Sequence, residues 1–228
     1  MTIKAVVFDA YGTLFDVAGA ARIAAAEPGQ DILARVWPRL AEDWRRKQLE
    51  YSWLRTITNQ YADFAQITAN ALDWAMEAQG LADPNLRARL LALYDRLPAY
   101  PEAAATVNAL RAGGYATAIL SNGTPAMLTS AVIAAGLDGK FDAVLSVDPV
   151  ATYKPSTRVY DLVGQHFGYS PGQVLFVSSN GWDVAGAAGY GFATVWVNRA
   201  GLPQDRLANG PSHVRLDLTS ILELAANL

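Results

Sequence analysis

The sequence predicts an α/β protein with a parallel sheet covered by helices on both faces. Three observations carry this. Short apolar runs end in turn residues, as buried parallel strands do. Helical patterns separate these runs, which is the mark of βαβ units. The first run is set apart from the others by about 80 residues with helical patterns and no strand pattern, which makes that stretch an all-helical insertion.

Residues 3–8 (Ile-Lys-Ala-Val-Val-Phe) form the first expected strand, which stops at Asp9. Further strands are expected at 115–120, 142–147, 174–178 and 193–198. A helix over 102–112 is closed by Gly113-Gly114, residues suited to a helix C-terminus. Others are expected over 125–135, 156–168, 182–189 and 219–227. Inside the insertion, Leu40, Trp44, Tyr51, Leu54 and Ile57 recur at helical spacing. A second helix is expected near 68–79, and a third opens with Asp83 as cap and Pro84 as first residue and runs to Leu97. Such an insertion stands over the carboxyl end of the first strand, where open α/β sheets bind ligands.

Bulk composition narrows the function classes. A chain of 228 residues, 52% of them hydrophobic, can bury a full core. A net charge of −3 offers no basic field for nucleic acid. The absence of cysteine excludes disulfides, thiolate metal sites and a Cys nucleophile, and suits a reducing, cytoplasmic compartment. No apolar run approaches the ~20 residues of a membrane helix, so no membrane role is expected. Asp9 and Asp16 interrupt the apolar N-terminus and argue against a signal peptide. His166 is expected on a helix and His213 in a polar loop, both as ordinary structural residues.

Chemistry-bearing residues gather at strand ends. Asp9-Ala10-Tyr11-Gly12-Thr13 follows the first strand and Ser121-Asn122-Gly123 the second. Lys154-Pro155 follows the third after a short loop, and Ser178-Ser179-Asn180-Gly181-Trp182-Asp183 the fourth. One such cluster is ordinarily a polar turn. Together they converge on one crevice beneath the insertion.

Asp9-x-Tyr11-Gly12-Thr13, Ser121-Asn122, Lys154-Pro155 and Asn180-x-x-Asp183 resemble the ordered motifs of the haloacid dehalogenase (HAD) superfamily. The resemblance implies a Rossmann-like HAD core (residues 1–16 and 99–228) and an inserted helical cap subdomain (17–98). Most members are phosphatases with Asp-x-Asp in the first motif, whose second Asp protonates the leaving group. Here that position is Tyr11, a poor acid at neutral pH. The last motif is also short of the carboxylates that Mg²⁺ prefers. Both departures suit a reaction needing neither metal nor acid, since halide leaves as a stable anion. The expectation is therefore no cofactor and no metal.

Trp44-Arg45-Arg46-Lys47-Gln48-Leu49-Glu50-Tyr51-Ser52-Trp53-Leu54-Arg55 is similar to a segment of the L-2-haloacid dehalogenases. That resemblance implies Arg45 as acceptor of the departing halide. The family often has Gln where this chain has Arg46, which either crowds the pocket or faces solvent. Conversion of L-haloacids to D-hydroxy acids, and a homodimer, follow from the same resemblance. Trp37 and Trp53 suit a dimer surface and equally a core.

The mechanism these residues imply is nucleophilic. Asp9 attacks carbon 2 of a small 2-haloalkanoate and forms an ester. Lys154 keeps Asp9 ionised, with the Thr13 and Ser178 hydroxyls as further supports. The substrate carboxylate meets the Ser121 hydroxyl and the backbone N–H groups of Ala10 and Asn122. Departing halide meets Arg45, the Asn122 amide and the Trp182 ring edge. Tyr11, Leu49 and Phe64 supply an apolar wall. For ester hydrolysis Asp183 is the candidate base, with Asn180 placing the water; Asp183 acting only to orient Lys154 is the other reading. No Gly-x-Ser-x-Gly elbow is present. Gly189-Tyr190-Gly191 follows a helix rather than a strand, so it is no dinucleotide loop. The alternatives are a phosphatase with an eroded acid and a silent scaffold.

Overall fold

Strand β1 (Ala5–Phe8) is buried along its whole length inside a parallel sheet of six strands, ordered β3-β2-β1-β4-β5-β6. The other strands are β2 (Ala116–Ser121), β3 (Ala143–Ser146), β4 (Val174–Ser178), β5 (Ala193–Val197) and β6 (His213–Arg215). The helices are α1 (Gly19–Ala25), α2 (Asp31–Ile57), α3 (Phe64–Ala78), α4 (Pro84–Tyr94), α5 (Ala103–Ala112), α6 (Pro125–Ala134), α7 (Thr157–Phe167), α8 (Gly181–Tyr190) and α9 (Ile221–Ala226). This computed structural model describes residues 2–228.

Register sets where the site must lie. Phe8 pairs with Ile119 on one side and with Val177 on the other. The residues after β1, β2 and β4 therefore emerge at one edge, side by side. β2 and β3 extend the sheet to one side of β1 while β4 and β5 extend it to the other. The order reverses between β1 and β4, and ligands bind at such switch points. Helices α5 and α6 pack on β2 and β3, and α8 packs on β4 and β5.

Helices α1–α4 lie between β1 and α5, and α2 packs along α3 while α1 packs on α2 and α4. The chain leaves and returns through adjacent segments. Asp16 N–H donates to Pro98 O at 2.9 Å and Tyr100 N–H donates to Leu14 O at 2.9 Å. Phe15 and Ala99 pair as an isolated antiparallel bridge.

All five expected strands are present: β1, β3 and β5 are shorter than expected, β2 is shifted by one residue, and β4 has the expected bounds. The strand β6 was not expected; it has three residues, lies at the sheet edge, and moves His213 from a loop to a strand. The short Ala-rich α1 was not expected either. Asp83 caps α4 as expected, accepting from Asn85 N–H at 2.8 Å, but the helix stops at Tyr94, short of Leu97. Helix α2 begins at Asp31, well before its clear periodicity, and passes through Pro38, which leaves the Ala34 carbonyl without its helical donor. Among the described residues, no helix is long and apolar enough to cross a membrane.

Candidate active site

Asp9 stands just past β1 and is 6% exposed, so its charge needs partners. Lys154 Nζ donates to its Oδ1 at 3.1 Å. Thr13 Oγ1 and Asn180 Nδ2 donate to its Oδ2 at 3.0 and 2.9 Å. Its own loop and two sequence-distant segments thus hold one carboxylate. Gly12 makes the tight turn possible: its φ is +92°, and a Cβ there would meet Ser179 Oγ at 3.0 Å.

Lys154 is fully enclosed and bridges two carboxylates, donating also to Asp183 Oδ2 at 2.8 Å. Burial works against its charge, but Asp183 and Asp9 outweigh that and raise its pKa above the usual lysine value. Burial raises the Asp183 carboxyl above its usual value; Lys154 pulls it back only in part, and Asp9 adds to the rise. An anionic Asp183 is therefore more basic than an ordinary carboxylate, which suits proton abstraction from water. Its other oxygen, Oδ1, accepts from the Tyr160 hydroxyl at 2.8 Å.

Ser178 is a correction. Its hydroxyl makes no hydrogen bond to Asp9; it accepts from Asn180 N–H at 3.1 Å and shapes the turn that delivers Asn180. Ser121 is fully buried, and its Oγ accepts from Gly123 N–H at 3.1 Å. Asn122 Oδ1 accepts from Lys154 N–H at 3.1 Å, which fixes the amide and leaves Nδ2 without a protein acceptor among the described residues. The N–H groups of Ala10 and Asn122 are likewise unspent on protein there. A carboxylate requires such a set of free donors.

Arg45 reaches this edge from α2. Its Nη2 donates to Tyr11 O at 3.3 Å and to Asn180 Oδ1 at 3.2 Å. Both partners are neutral, and among the described residues it pairs with no carboxylate. Leu49 and Trp53 follow on the same helix face, one and two turns on. Trp53 packs edge-on against Trp182 at the start of α8, with ring centroids 5.3 Å apart. Its place is therefore between α2 and α8. Trp37 packs against the core. Arg46 points the other way: it pairs with Asp43 and Glu50 and lies over the Trp74 ring, on the solvent side.

Tyr11 is buried between Phe64 and Tyr94, with ring centroids at 5.9 and 5.5 Å. Burial raises its phenol well above the ordinary value, so it cannot act as an acid. Of the three residues expected to form an apolar wall, Tyr11 and Phe64 pack together, Leu49 lies on the α2 face that carries Arg45, and Tyr94 is an unforeseen neighbour.

A family model described as haloacid dehalogenase-like hydrolase matches residues 3–191. The chain belongs to that family. Within it, the chain belongs with relatives that are (S)-2-haloacid dehalogenases, 41–46% identical over most of its length. The chain is 44% identical to (S)-2-haloacid dehalogenase 1 of Pseudomonas sp. (strain CBS-3), over 99% of this chain and 98% of the relative. It is 46% identical to (S)-2-haloacid dehalogenase 4A of Burkholderia cepacia, over 90% and 87%. The L-2-haloacid dehalogenase of Xanthobacter autotrophicus, solved with chloropropionic acid covalently bound, matches with a TM-score of 0.87, 39% identity and 98% coverage of both chains.

Besides Tyr94, two residues at the site escaped sequence reasoning. Tyr160 looks like any core aromatic on α7; the only signal was that a buried tyrosine hydroxyl needs a partner. Ser179 was read only as part of a turn, yet its N–H donates to Thr13 Oγ1 at 2.8 Å and so orients the hydroxyl beside Asp9. Among the described residues, no cluster of three or more His, Asp or Glu side chains is placed to hold a metal ion.

Proposed function

We propose that this enzyme hydrolyses short-chain L-2-haloacids to D-2-hydroxy acids, with Asp9 as nucleophile. The observation that carries the reading is the Asp9 carboxylate, held by Lys154, Thr13 and Asn180 with Arg45 above it and no acid at Tyr11. An Asp9 oxygen attacks carbon 2 opposite the carbon–halogen bond. Halide leaves with the bonding pair toward Arg45, Asn122 Nδ2 and Trp182, and the centre inverts. The substrate carboxylate sits on the Ser121 hydroxyl and the Ala10 and Asn122 N–H groups. Tyr11, Leu49 and Phe64 enclose carbon 2 and its substituent. Water then attacks the ester carbonyl, its proton passing to Asp183, while Asn180 positions it; the hydroxy acid departs with the original Asp9 oxygen.

Charge balance favours this substrate class. Asp9 and Asp183 cancel Lys154 and Arg45, so a monoanionic haloacid meets a neutral site, whereas a phosphomonoester would bring surplus negative charge.

Helices α1–α4 serve in this reading as a cap subdomain over residues 17–98, on a core of 1–16 and 99–228. The cytoplasm suits a chain without cysteine. A homodimer through α2 would cover Leu54 and Ile57, which are 50% and 76% exposed.

Halide release from L-2-chloropropionate in EDTA tests the central reading. Steady release supports it. No release, together with Mg²⁺-dependent cleavage of a phosphate ester, overturns it in favour of a phosphatase.

A further inference from the structure

A cleft of about 190 Å³ lies where helices α3 and α4 meet the start of α6. Ala65, Thr68 and Ala69 of α3, Leu91 of α4, Asp95 just after it and Met127 of α6 surround it. Ala65 and Asp95 are exposed and mark its mouth, while Thr68 and Met127 are buried and mark its floor. Tyr94, also buried, completes the lining; Asp9, Tyr11, Arg45 and Phe64 are not part of it.

Tyr94 joins this cleft to the candidate site. Its ring stacks on Tyr11, with centroids 5.5 Å apart and planes 22° apart, and packs on Trp44 at 5.0 Å. Burial raises its phenol; Arg45 opposes that rise and Asp9 adds to it, so the ring lies within the field of both site charges. Among the described residues its hydroxyl finds only Gln48 Oε1, at 3.4 Å, so packing more than bonding holds the ring in place. The Thr68 hydroxyl is taken up by Gln48 Nε2 at 3.0 Å, and Ala65, Ala69, Leu91 and Met127 give the cleft apolar walls. The Asp95 carboxylate at the mouth repels an approaching haloacid anion. The cleft therefore suits a neutral alkyl tail and not the passage of the charged end.

We propose that Tyr94 sets the chain-length limit of the substrate, its ring closing the site off from a preformed apolar cleft that a longer alkyl tail would otherwise enter. The proposal rests on the dehalogenase reading, in which Tyr11 and Phe64 meet the substituent on carbon 2 and Tyr94 is the next ring beyond Tyr11. An apolar space of ~150 Å³ admits benzene, so the cleft has room for a tail of about four carbons. A smaller side chain at position 94 joins cleft and site.

Halide release from L-2-bromohexanoate against L-2-bromopropionate reads this limit, and calorimetric affinity for hexanoate against propionate reads it without turnover. Tyr94→Leu is expected to raise both long-to-short ratios on the order of tenfold or more, since each methylene buried contributes about fourfold. Tyr94→Met carries the same expectation at smaller amplitude and serves if Tyr94→Leu fails to fold. Tyr94→Phe keeps the ring and is expected to keep the wild-type ratios. Ala69→Leu narrows the cleft from the α3 side: alone it is expected to leave the ratios as they are, and in Tyr94→Leu to cancel the gain. Unchanged ratios in Tyr94→Leu and Tyr94→Met overturn the proposal, as does a gain that Ala69→Leu leaves intact. A gain in Tyr94→Phe equal to that of Tyr94→Leu also overturns it, because the hydroxyl and not the ring would then set the limit. Loss of long-chain activity from Ala69→Leu alone overturns it as well, because the cleft would then be open already. Wild type that releases no halide from L-2-bromopropionate sinks the dehalogenase reading separately, and the hexanoate and propionate affinities still decide the role of Tyr94.

Discussion

The Tyr160 hydroxyl donates to Asp183 Oδ1 at 2.8 Å, on the opposite side of that carboxylate from Lys154. Asp183 is thereby held by one neutral and one charged donor with no freedom to turn. Tyr160→Phe removes the neutral donor and little volume. The expected outcome is a fall in kcat of about tenfold, the order of one hydrogen bond to a charged group, with KM little changed. Quenched-flow mass spectrometry should show the Asp9 ester accumulating, because hydrolysis is the step that needs Asp183. Slower ester formation with no accumulation would assign Tyr160 to the first step instead.

Arg45→Ala is expected to cut turnover by about 10²–10³, the usual cost of removing a donor from a developing anion. Lys47→Ala and Arg46→Ala should stay near wild type, since Lys47 pairs with Glu50 and Arg46 with Asp43 and Glu50. Parallel losses in all three would mean that general charge, rather than the place of Arg45 beside Asn180, sets the rate.

The ester itself is accessible to isotope. One turnover in ¹⁸O-water with enzyme in excess is expected to give unlabelled hydroxy acid and label in Asp9. Labelled product from the first turnover would make Asp9 a general base. Chiral analysis should find D-hydroxy acid from L-haloacid; retention would require a second displacement at carbon 2.

The pH profile follows from two raised pKa values. Asp183 must be anionic to take a proton, and burial raises its carboxyl, so turnover should climb with pH through a value above the ordinary ~3.9 for Asp. Lys154 must stay cationic, and its own value is raised by the carboxylates, so no loss is expected below the ordinary ~10.4 for Lys. Both folded-state values are raised, so both groups make stability fall as pH rises: Asp183 from the ordinary ~3.9 up through its raised value, as a buried charge forms, and Lys154 above the ordinary ~10.4, as its neutralisation breaks both ion pairs. Asp183→Asn should abolish the acid limb of ester hydrolysis along with the activity, leaving ester formation measurable.

Five strands of the sheet were legible because each is a short apolar run, and the polar clusters after the first four mark the edge where the candidate site lies. Pairing of Phe8 with Ile119 and Val177 turns that one-dimensional order into a meeting place. What stayed hidden depends on directions that spacing does not encode. Three-residue β6 at the sheet edge and seven-residue α1 are too short for a period to register. Ser178 and Ser179 are neighbours of one type, and only the turn decides that Ser178 receives Asn180 N–H while Ser179 reaches Thr13. Arg46 was undecidable until its partners Asp43 and Glu50 placed it on the outer face of α2.

The paired crossings at Asp16–Pro98 and Leu14–Tyr100 mean that the helical segment is joined to the sheet at one address. Its two ends stand a hydrogen bond apart, so a short turn could join them and leave the backbone of the sheet uninterrupted. Natural exchange or laboratory grafting can therefore treat the segment as a cassette. Arg45 and Phe64 would travel with it, while Asp9, Lys154 and Asp183 would stay behind. An exchange of the segment would replace the halide-facing arginine and part of the apolar wall together, and leave the nucleophile and its buried partners untouched.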